Sequence, residues 1–270
     1  MPATIFITGS STGLGRATAL LFAQKGWTVF ATMRDPSKAS ELHHVDGITL
    51  LPLDVTKPDQ IKAAALHALA QGPVDVLFNN AGYGLSGPFE AATDDQLTAE
   101  LNTNLLGVMR VTQAFLPAMR ERGAGRIITT TSIGGLVTFP FNSVYPATKW
   151  GLEGWSESLA FEVAKFGIRV KTVAPGAIRT DFATRSLVLT RHPAYADTIA
   201  RTMKTFMDPK RREKSSSAEQ IAEVVWEAAT DDRDQISYVA GADAKETYAQ
   251  RLALGSEKFR RVIAQLFLGS

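Results

Sequence analysis

A tyrosine and a lysine stand four residues apart in the segment NSVYPATKW, residues 142–150. Positions i and i+4 share one face of a helix, so Tyr145 and Lys149 would point into the same cleft. A free tyrosine has a pKa of about 10, and a nearby ammonium favours the phenolate, which moves the phenol's pKa toward the range useful for general acid–base catalysis. Taken alone, the pair also fits a buried tyrosine beside a lysine whose ammonium reaches water.

The residue after the tyrosine, Pro146, indicates where this helix begins. Proline is tolerated in the first turn of a helix, because its missing N–H has no partner there. We therefore predict that the helix begins at Tyr145 and runs to about residue 166, which leaves the phenol at an accessible edge of the cleft.

A glycine-rich segment, TGSSTGLG at residues 8–15, lies between an apolar strand and a helical pattern. Gly9 permits a tight turn, Gly13 lets the backbone approach a ligand, and Gly15 lets the helix pack closely against the sheet. A pyrophosphate at the helix N-terminus would meet free N–H groups and the positive end of the helix dipole. The segment therefore predicts a phosphate-binding turn.

Apolar β-rich segments alternate with helical patterns along the chain. The predicted strands are residues 4–8, 28–33, 48–55, 74–82, 125–132, 168–176 and 235–241, and the predicted helices are about 14–26, 36–43, 57–72, 94–122 and 145–166. Near-continuous apolar strands alternating with helices indicate an α/β fold with a parallel sheet covered on both faces. Right-handed crossovers then predict a doubly wound, Rossmann-type sheet of about seven strands. We expect one domain, residues 1–270, with a substrate-binding insertion at about residues 181–215.

The composition indicates a globular protein and argues against several other classes of protein. The chain has 270 residues, 45% hydrophobic and 21% charged, which is enough to bury a sizeable core. A net charge of +2 with scattered charges argues against nucleic acid or a membrane as a partner. The absence of cysteine excludes disulfides and thiolate metal sites, and we expect no metal. No leader-like N-terminus or membrane-length apolar stretch is present, so we expect a cytoplasmic protein.

Six motifs in chain order resemble those of the short-chain dehydrogenase/reductase family. The resemblance runs from about residue 4 to 181, and VAGADA at residues 239–244 is similar to the family's last strand region. The matching positions are Thr8 to Gly15, Asn79-Asn80-Ala81-Gly82, Asn104, Ser132, Tyr145 with Lys149, and Pro175-Gly176 followed by Thr180. The segment ATMRDP and the long insertion loosely resemble the branch that contains retinol and hydroxysteroid dehydrogenases.

The resemblance implies an oxidoreductase that interconverts a carbonyl compound and an alcohol, with hydride transfer performed by a nicotinamide cofactor. Tyr145 would exchange the proton with the substrate, and Ser132 would hydrogen-bond the substrate oxygen. Lys149 would hold the ribose hydroxyls, and Asn104 would hold a water that links Lys149 to solvent. The predicted cofactor-binding residues are Gly9, Ser11, Gly13, Leu14, Gly15, Arg34, Asp54, Val55, Asn80, Ala81, Gly82, Tyr145, Lys149, Pro175, Gly176, Ile178 and Thr180.

The end of the second strand, ATMRD, bears on the choice between NADP and NAD. Enzymes of this type that use NAD usually carry an acidic residue here for the ribose hydroxyls, but Met33 occupies that place. Arg34 follows, and its guanidinium could pair with a 2′-phosphate, so we predict NADP over NAD. Asp35 leaves NAD open, because a shift of one residue would bring its carboxylate to the ribose. Asp54 would either contact the adenine or serve as a turn residue before the next helix.

The predicted substrate residues are aromatic or aliphatic: Tyr83, Phe139, Phe141, Phe182 and Leu187. They favour a bulky, hydrophobic ketone, aldehyde or alcohol, although any one of them could instead be a core or dimer contact. The family resemblance implies a homodimer or homotetramer, formed through the two long helices at about 94–122 and 145–166. An alternative function is a non-catalytic, dinucleotide-binding regulatory protein, which would be expected to lack the tyrosine, lysine or serine. A sugar-nucleotide epimerase would show TGxxGxxG spacing and a larger C-terminal domain.

Overall fold

The structure is a computed structural model that describes residues 2–180 and 186–269, apart from the side chains of Ser40 and Arg212. Its strands are β1 Thr4–Thr8, β2 Thr28–Met33, β3 Ile48–Pro52, β4 Val76–Asn79, β5 Gly84–Ser86, β6 Gly125–Thr130, β7 Ile168–Pro175, β8 Ile178–Arg179, β9 Leu187–Leu189, β10 Ser216–Ser217 and β11 Ser237–Ala240. Its α-helices are α1 Gly13–Gln24, α2 Pro58–Ala70, α3 Asp94–Leu101, α4 Gly107–Arg122, α5 Val144–Val163, α6 Ala196–Phe206, α7 Pro209–Glu213, α8 Ala218–Thr230 and α9 Ala242–Leu268.

Seven strands form one parallel sheet in the order β11-β7-β6-β4-β1-β2-β3. The predicted doubly wound parallel sheet is therefore confirmed. β1 lies between β2 and β4, with Ile5 opposite Val29 on one side and Val76 on the other. The direction of winding reverses at β1, and in such sheets ligands bind in the crevice at the carboxyl ends of the strands at this reversal.

Successive residues of the central strands enter two separate cores, because side chains alternate between the faces of a sheet. Ile5 and Ile7 join the core beneath α1 and α8, whereas Phe6 joins the core beneath α2, α4 and α5. The sheet is thus buried on both faces, which explains why its strands read as continuous apolar segments.

The predicted helix at 94–122 is two α-helices joined by a π-helical turn, Asn102–Leu106. The predicted helix at 36–43 is two short 3₁₀ turns, Pro36–Lys38 and Ser40–Leu42. Helix α5 begins at Val144, so the prediction that Tyr145 is its first residue is wrong by one position. Pro146 still lies in the first turn, where its missing N–H leaves no hydrogen bond unmade.

After residue 186 the chain adds strand β9, which pairs in parallel with β5, followed by α6 and α7. Helix α9 is broken at Gly255, where the backbone is non-helical. Its second half and α6 enclose a small core with the segment after β6, here called the accessory core: Val137, Phe259, Ile263 and Phe267, with Phe139 and Phe206 packed against them. Among the described helices, none combines the length and apolarity that crossing a membrane would require.

Candidate active site

The glycine-rich turn brings β1, α1 and the end of β4 into very close contact. Gly9 has a φ of 72°, in the left-handed region, and a Cβ on it would lie 2.8 Å from Ala81 Cα. A Cβ on Gly15 would lie 2.2 Å from the Gly9 carbonyl oxygen, so only glycine fits either position. Helix α1 has no side-chain cap at Thr12 and no acidic residue in its first turn. Its first N–H groups are therefore available to an anion.

The predicted cofactor residues after β4 are hydrogen-bonded to this turn. The Thr8 hydroxyl accepts from the N–H groups of Asn80 (2.9 Å) and Ala81 (3.0 Å). The Asn80 side-chain amide donates to the Gly9 carbonyl at 3.1 Å. The backbone from Asn80 to Gly82 consequently lies beside the glycine turn, and Thr8 is a positioning residue that our sequence-based site had left out.

The end of β2 carries the residues that bear on the choice of cofactor, and one of them is the guanidinium of Arg34. Met33 is buried, and Arg34 is exposed without a hydrogen bond or salt bridge to any described residue. The Asp35 carboxylate accepts from the Ser37 N–H (3.2 Å) and hydroxyl (2.6 Å), so it is held in its own turn. The geometry therefore favours Arg34 over Asp35 as the group that would meet the adenosine ribose.

Asp54 has a turn role in the structure. Its Oδ1 accepts from the Thr56 N–H at 2.9 Å and from the Thr56 hydroxyl at 2.7 Å, and its own N–H donates to Gln60 Oε1 at 2.7 Å. These bonds order the turn that leads into α2, and the adenine contact of Asp54 remains a prediction. Val55 is buried, and its Cγ2 would lie 2.9 Å from a Cβ on Gly107.

After β7 the chain returns to the glycine turn. The Gly176 N–H donates to the Ala240 carbonyl at 3.0 Å, which ties the segment after Pro175 to β11. Ile178 packs against the core that contains Leu14. Thr180 Cγ2 lies 3.5 Å from the position that a Cβ on Gly13 would occupy. Thr180, the last of the predicted cofactor residues, therefore lies beside Gly13 of the glycine-rich turn. Ser11 lies in the same turn.

Ser132, Tyr145 and Lys149 form one group at the carboxyl end of β6. The Ser132 hydroxyl caps the short turn Ile133–Gly135 by accepting from the Gly134 N–H at 3.0 Å, and it hydrogen-bonds to the Tyr145 phenol. Lys149 is buried; its Nζ lies 5.6 Å from the centre of the Tyr145 ring and donates to the Thr130 carbonyl at 2.8 Å. The hydroxyl, phenol and ammonium thus adjoin one another, as the i, i+4 spacing on α5 predicts.

The protonation of this group differs from the prediction. Burial raises the pKa of Tyr145 to about 12; the Ser132 hydrogen bond lowers it and the Glu100 carboxylate raises it further. The predicted fall in this pKa is therefore not produced by the protein alone, because burial outweighs the effect of nearby groups. Burial also lowers the pKa of Lys149 to about 8, against the opposing charges of Glu100 and Glu153. At neutral pH the phenol is protonated and the lysine is mostly an ammonium.

Asn104 lies in the π-helical turn between α3 and α4 and is fully buried. Its Oδ1 accepts from the Tyr83 N–H at 3.0 Å, and its Nδ2 donates to the Tyr83 carbonyl at 2.7 Å. A Cβ on Gly82 would lie 3.1 Å from Asn104 Oδ1 and 3.8 Å from Lys149 Nζ. The side chain therefore fixes the backbone beside Lys149, and the water relay through Asn104 remains a prediction.

Glu100 is a titratable residue of this region that the sequence-based site did not include. It is buried on α3, and its Oε1 accepts from the Leu85 N–H at 2.9 Å. Burial raises the pKa of Glu100 to about 7; the Leu85 hydrogen bond and the charge of Lys149 act in the opposite direction. The sequence offers only its spacing of four from Asn104 as a signal.

Two predicted substrate residues, Phe141 and Leu187, are held in place through their backbones. The Phe141 carbonyl accepts from the Gly87 N–H (2.8 Å) and from the Ser86 hydroxyl (2.9 Å), and its φ of 56° lies in the left-handed region. Its ring centre lies 5.9 Å from that of Tyr195. Leu187 pairs with Gly84 across the β5–β9 ladder.

The remaining predicted substrate residues have different surroundings. Tyr83 is half-buried beside Asn104, which holds its backbone. Phe139 belongs to the accessory core, with ring centres 5.9 Å from Phe206 and 5.8 Å from Phe267. Phe182 lies outside the described residues.

Three known proteins illustrate what the chain is similar to. A 3-ketodihydrosphingosine reductase from Bacteroides thetaiotaomicron is 37% identical over 214 residues, 78% of this chain and 78% of that protein. Human 17-beta-hydroxysteroid dehydrogenase type 1 is 37% identical over 238 residues, 82% of this chain and 72% of that protein. The solved structure of ElxO with NADP bound has a TM-score of 0.76 and 26% identity, and the match covers 93% of this chain and 100% of that one.

The family itself is identified by a profile match and by these relatives together. The profile described as short chain dehydrogenase matches residues 3–187, which contain the glycine turn, Ser132, Tyr145 and Lys149. The hydroxysteroid dehydrogenase among the relatives agrees with the branch that the sequence resembles. The chain belongs to the short chain dehydrogenase family.

Proposed function

We propose that this protein is an NADP(H)-dependent oxidoreductase that interconverts a hydrophobic carbonyl compound and the corresponding alcohol. The observation that carries the proposal is the Ser132–Tyr145–Lys149 group at the carboxyl end of the sheet, beside a glycine turn built for an anion. A hydroxyl hydrogen-bonded to a phenol, with an ammonium 5.6 Å from the centre of the phenol ring, suits proton exchange with a carbonyl oxygen.

The residues that would hold the cofactor fit a dinucleotide phosphate. The uncapped start of α1 suits a pyrophosphate, and Arg34, which is exposed and has no hydrogen bond or salt bridge within residues 2–180 and 186–269, suits a 2′-phosphate. Asp35 is engaged with Ser37, which weighs against NAD. The NADP bound to the similar protein ElxO gives further support. When bound, the nicotinamide would donate or accept the hydride.

The chain's own residues would manage the proton and the developing charge. With its pKa raised to about 12, the Tyr145 phenol is the proton donor in carbonyl reduction, and the corresponding phenolate would be the acceptor in alcohol oxidation. The Ser132 hydroxyl would hydrogen-bond the substrate oxygen and stabilise its negative charge. The Lys149 ammonium stabilises the phenolate that remains after the proton has left. A non-catalytic regulatory protein has no need to keep these three groups next to one another.

For the substrate we propose a bulky, largely apolar ketone or alcohol. Phe141, with the Tyr195 ring beside it, and Leu187 on the β5–β9 ladder would supply aromatic and aliphatic surface to such a substrate. The names of the two relatives, a ketosphingosine reductase and a hydroxysteroid dehydrogenase, refer to substrates of this type.

We also propose a homodimer that forms through α4 and α5. Helix α5 exposes Trp150 and Phe161, which are 43% and 84% exposed, and Gly154 between them has open space above its Cα. Trp150, Gly154 and Phe161 recur at helical spacing and form an apolar stripe with a flat centre, as a helix-packing face requires.

The function is tested with Tyr145→Phe, which removes the phenolic proton and keeps the ring. With a panel of apolar ketones, we expect NADPH oxidation to fall by about 10²-fold or more, because general acid catalysis is lost. NADPH binding, measured by fluorescence titration, should stay within about twofold of wild type, because the ring and Lys149 remain. Turnover close to wild type would remove Tyr145 from the mechanism, and a wild-type protein inactive on the whole panel would overturn the proposed function.

A further inference from the structure

Glu100 is a fully buried carboxylate whose second oxygen is not hydrogen-bonded. Its Oε1 accepts from the Leu85 N–H at 2.9 Å and lies 3.5 Å from Asn104 Nδ2. Its Oε2 has no hydrogen-bond partner within residues 2–180 and 186–269. Burying an unpartnered carboxylate oxygen costs free energy, so an opposite charge or a proton must stabilise this group.

The groups that face Glu100 come from the neighbouring elements, which are α5, the π-helical turn and the segment before β5. Lys149 on α5 is the cation that acts on Glu100, and Glu100 in turn acts on Lys149, Tyr145 and Tyr83. Asn104 lies between Glu100 and the backbone at Tyr83 and Gly82, next to Lys149. On its other side, Lys149 is acted on by Glu153, whose Oε2 accepts from the Thr172 hydroxyl at 2.9 Å.

We propose that Glu100 is a positioning residue of the active site and the internal counter-charge of Lys149. Its ionised carboxylate favours the ammonium form of Lys149 and adds to the effect of burial on Tyr145, and its Oε1 holds the backbone that carries Leu85. The expected effect of Glu100 on turnover rests on the proposed oxidoreductase function. The expected effect of Glu100 on the ionisation of Lys149 does not.

The ionisation of these groups supports a coupled pair. The pKa of Glu100 is raised to about 7 and that of Lys149 is lowered to about 8, in each case mainly by burial, so the two groups titrate over adjoining pH ranges. The negative charge of Glu100 raises the pKa of both Lys149 and Tyr145. Removing that charge must therefore lower both values, whereas removing only the hydrogen bond to Leu85 would not.

Glu100→Gln separates these two contributions, because glutamine keeps an oxygen for the Leu85 N–H and has no charge. We expect the alkaline limb of the pH profile of kcat/KM for ketone reduction to move about one pH unit lower, since an opposite charge at close range shifts a pKa by about one unit or more. A uniform fall in kcat/KM at every pH, with the limb unmoved, would mean that Glu100 has a structural role only.

A readout that does not depend on turnover is the titration of Lys149 by NMR in protein labelled with ¹³Cε-lysine, with its signal assigned by its loss in Lys149→Arg. The Lys149 midpoint should fall by about one pH unit in Glu100→Gln. The reciprocal variant, Lys149→Met, should raise the midpoint of Glu100, observed with ¹³Cδ-glutamate, and this test does not require Glu100→Gln to fold.

These readouts distinguish failure of the inference from failure of the proposed function. Unchanged midpoints in both experiments would overturn the role of Glu100, even in a protein that reduces ketones. Shifted midpoints in a protein that is inactive on every ketone would support the counter-charge role and overturn only the proposed reaction.

Discussion

Removing the carboxylate charge of Asp231 should destabilise the fold by a calculable amount. Lys171, in the middle of β7, is 1% exposed, and its Nζ donates to Asp231 Oδ1 and to the Tyr238 hydroxyl. The Tyr238 hydroxyl also donates to Asp231, and Arg233 pairs with the same carboxylate. Asp231→Asn keeps the shape and one carbonyl oxygen, but it leaves the buried ammonium of Lys171 without its counter-charge.

Breaking a buried ion pair from one side typically costs about 3–5 kcal/mol. The Asp231 side chain is 17% exposed and Tyr238 remains as a partner of Lys171, so we take the lower end, about 3 kcal/mol. For a chain of this length that corresponds to a fall in Tm of about 6 °C. Asp232→Asn is the matched control: Asp232 bonds Arg126 and Arg169 but is 86% exposed, so its loss should cost less than about 1 kcal/mol.

The cost should also depend on pH with a definite sign. Burial by itself would raise the pKa of Asp231, but hydrogen bonds from Lys171, Arg233 and Tyr238 outweigh it and hold the pKa below its usual range. A carboxyl with a depressed folded-state pKa stabilises the fold above its unfolded value of about 3.9, and that contribution is lost as the pH falls further. The difference between wild type and Asp231→Asn should therefore be complete at neutral pH and shrink below about pH 4.

Urea denaturation followed by tryptophan fluorescence, performed near pH 7 and again near pH 3.5, measures this difference directly. Equal costs for Asp231→Asn and Asp232→Asn would refute the argument from burial. A cost for Asp231→Asn that did not change between the two pH values would refute the assignment of the effect to the carboxylate charge.

Two further predictions concern the cofactor and the assembly. Arg34→Ala should reduce the preference for NADPH over NADH by about 10-fold or more, because a charge-assisted hydrogen bond to the 2′-phosphate is lost. The ratio of steady-state kcat/KM values with the two cofactors measures this preference. An unaltered ratio would show that Arg34 does not select the cofactor. Phe161→Glu should convert a dimer into monomers in sedimentation velocity, because it places a charge at the most exposed aromatic residue of the apolar stripe. Leu252→Glu, on exposed Leu252 of α9, is the control, and a monomeric wild-type protein would contradict the proposed interface.

The fold was predictable because its strands are buried on both faces and therefore read as apolar segments bounded by turns. The predicted strand at 48–55 ends at Pro52 in the structure, because the residues around Asp54 form a turn closed by Thr56 and Gln60. The π-helical turn was not predicted, since such turns are rare and occur mostly as single turns inside longer α-helices. That turn is nevertheless what positions Asn104.

The sequence predicted which residues belong to the candidate site better than it predicted their pKa values. Spacing on one helix is enough to bring Tyr145 and Lys149 together, because it is a local property. The raised pKa of Tyr145 and the burial of Glu100 depend on how α3 and α5 pack against each other. That packing cannot be predicted from a local sequence pattern. The same limit applies to Phe139, whose aromatic character alone does not distinguish a cleft wall from the accessory core.

The β5–β9 ladder has a consequence for how this site could change over evolution. Its pairing is made by backbone groups, with Gly84 opposite Leu187 and Ser86 opposite Leu189, and the Thr190 hydroxyl just after β9 lies 3.5 Å from the Ser86 carbonyl oxygen. Substitutions at Leu187, Val188 and Leu189 would therefore change the side chains that β9 presents without removing the backbone pairing that holds the segment. The proposed acid–base group on α5 lies outside this ladder, so selection could alter the proposed substrate surface and the proposed proton chemistry separately.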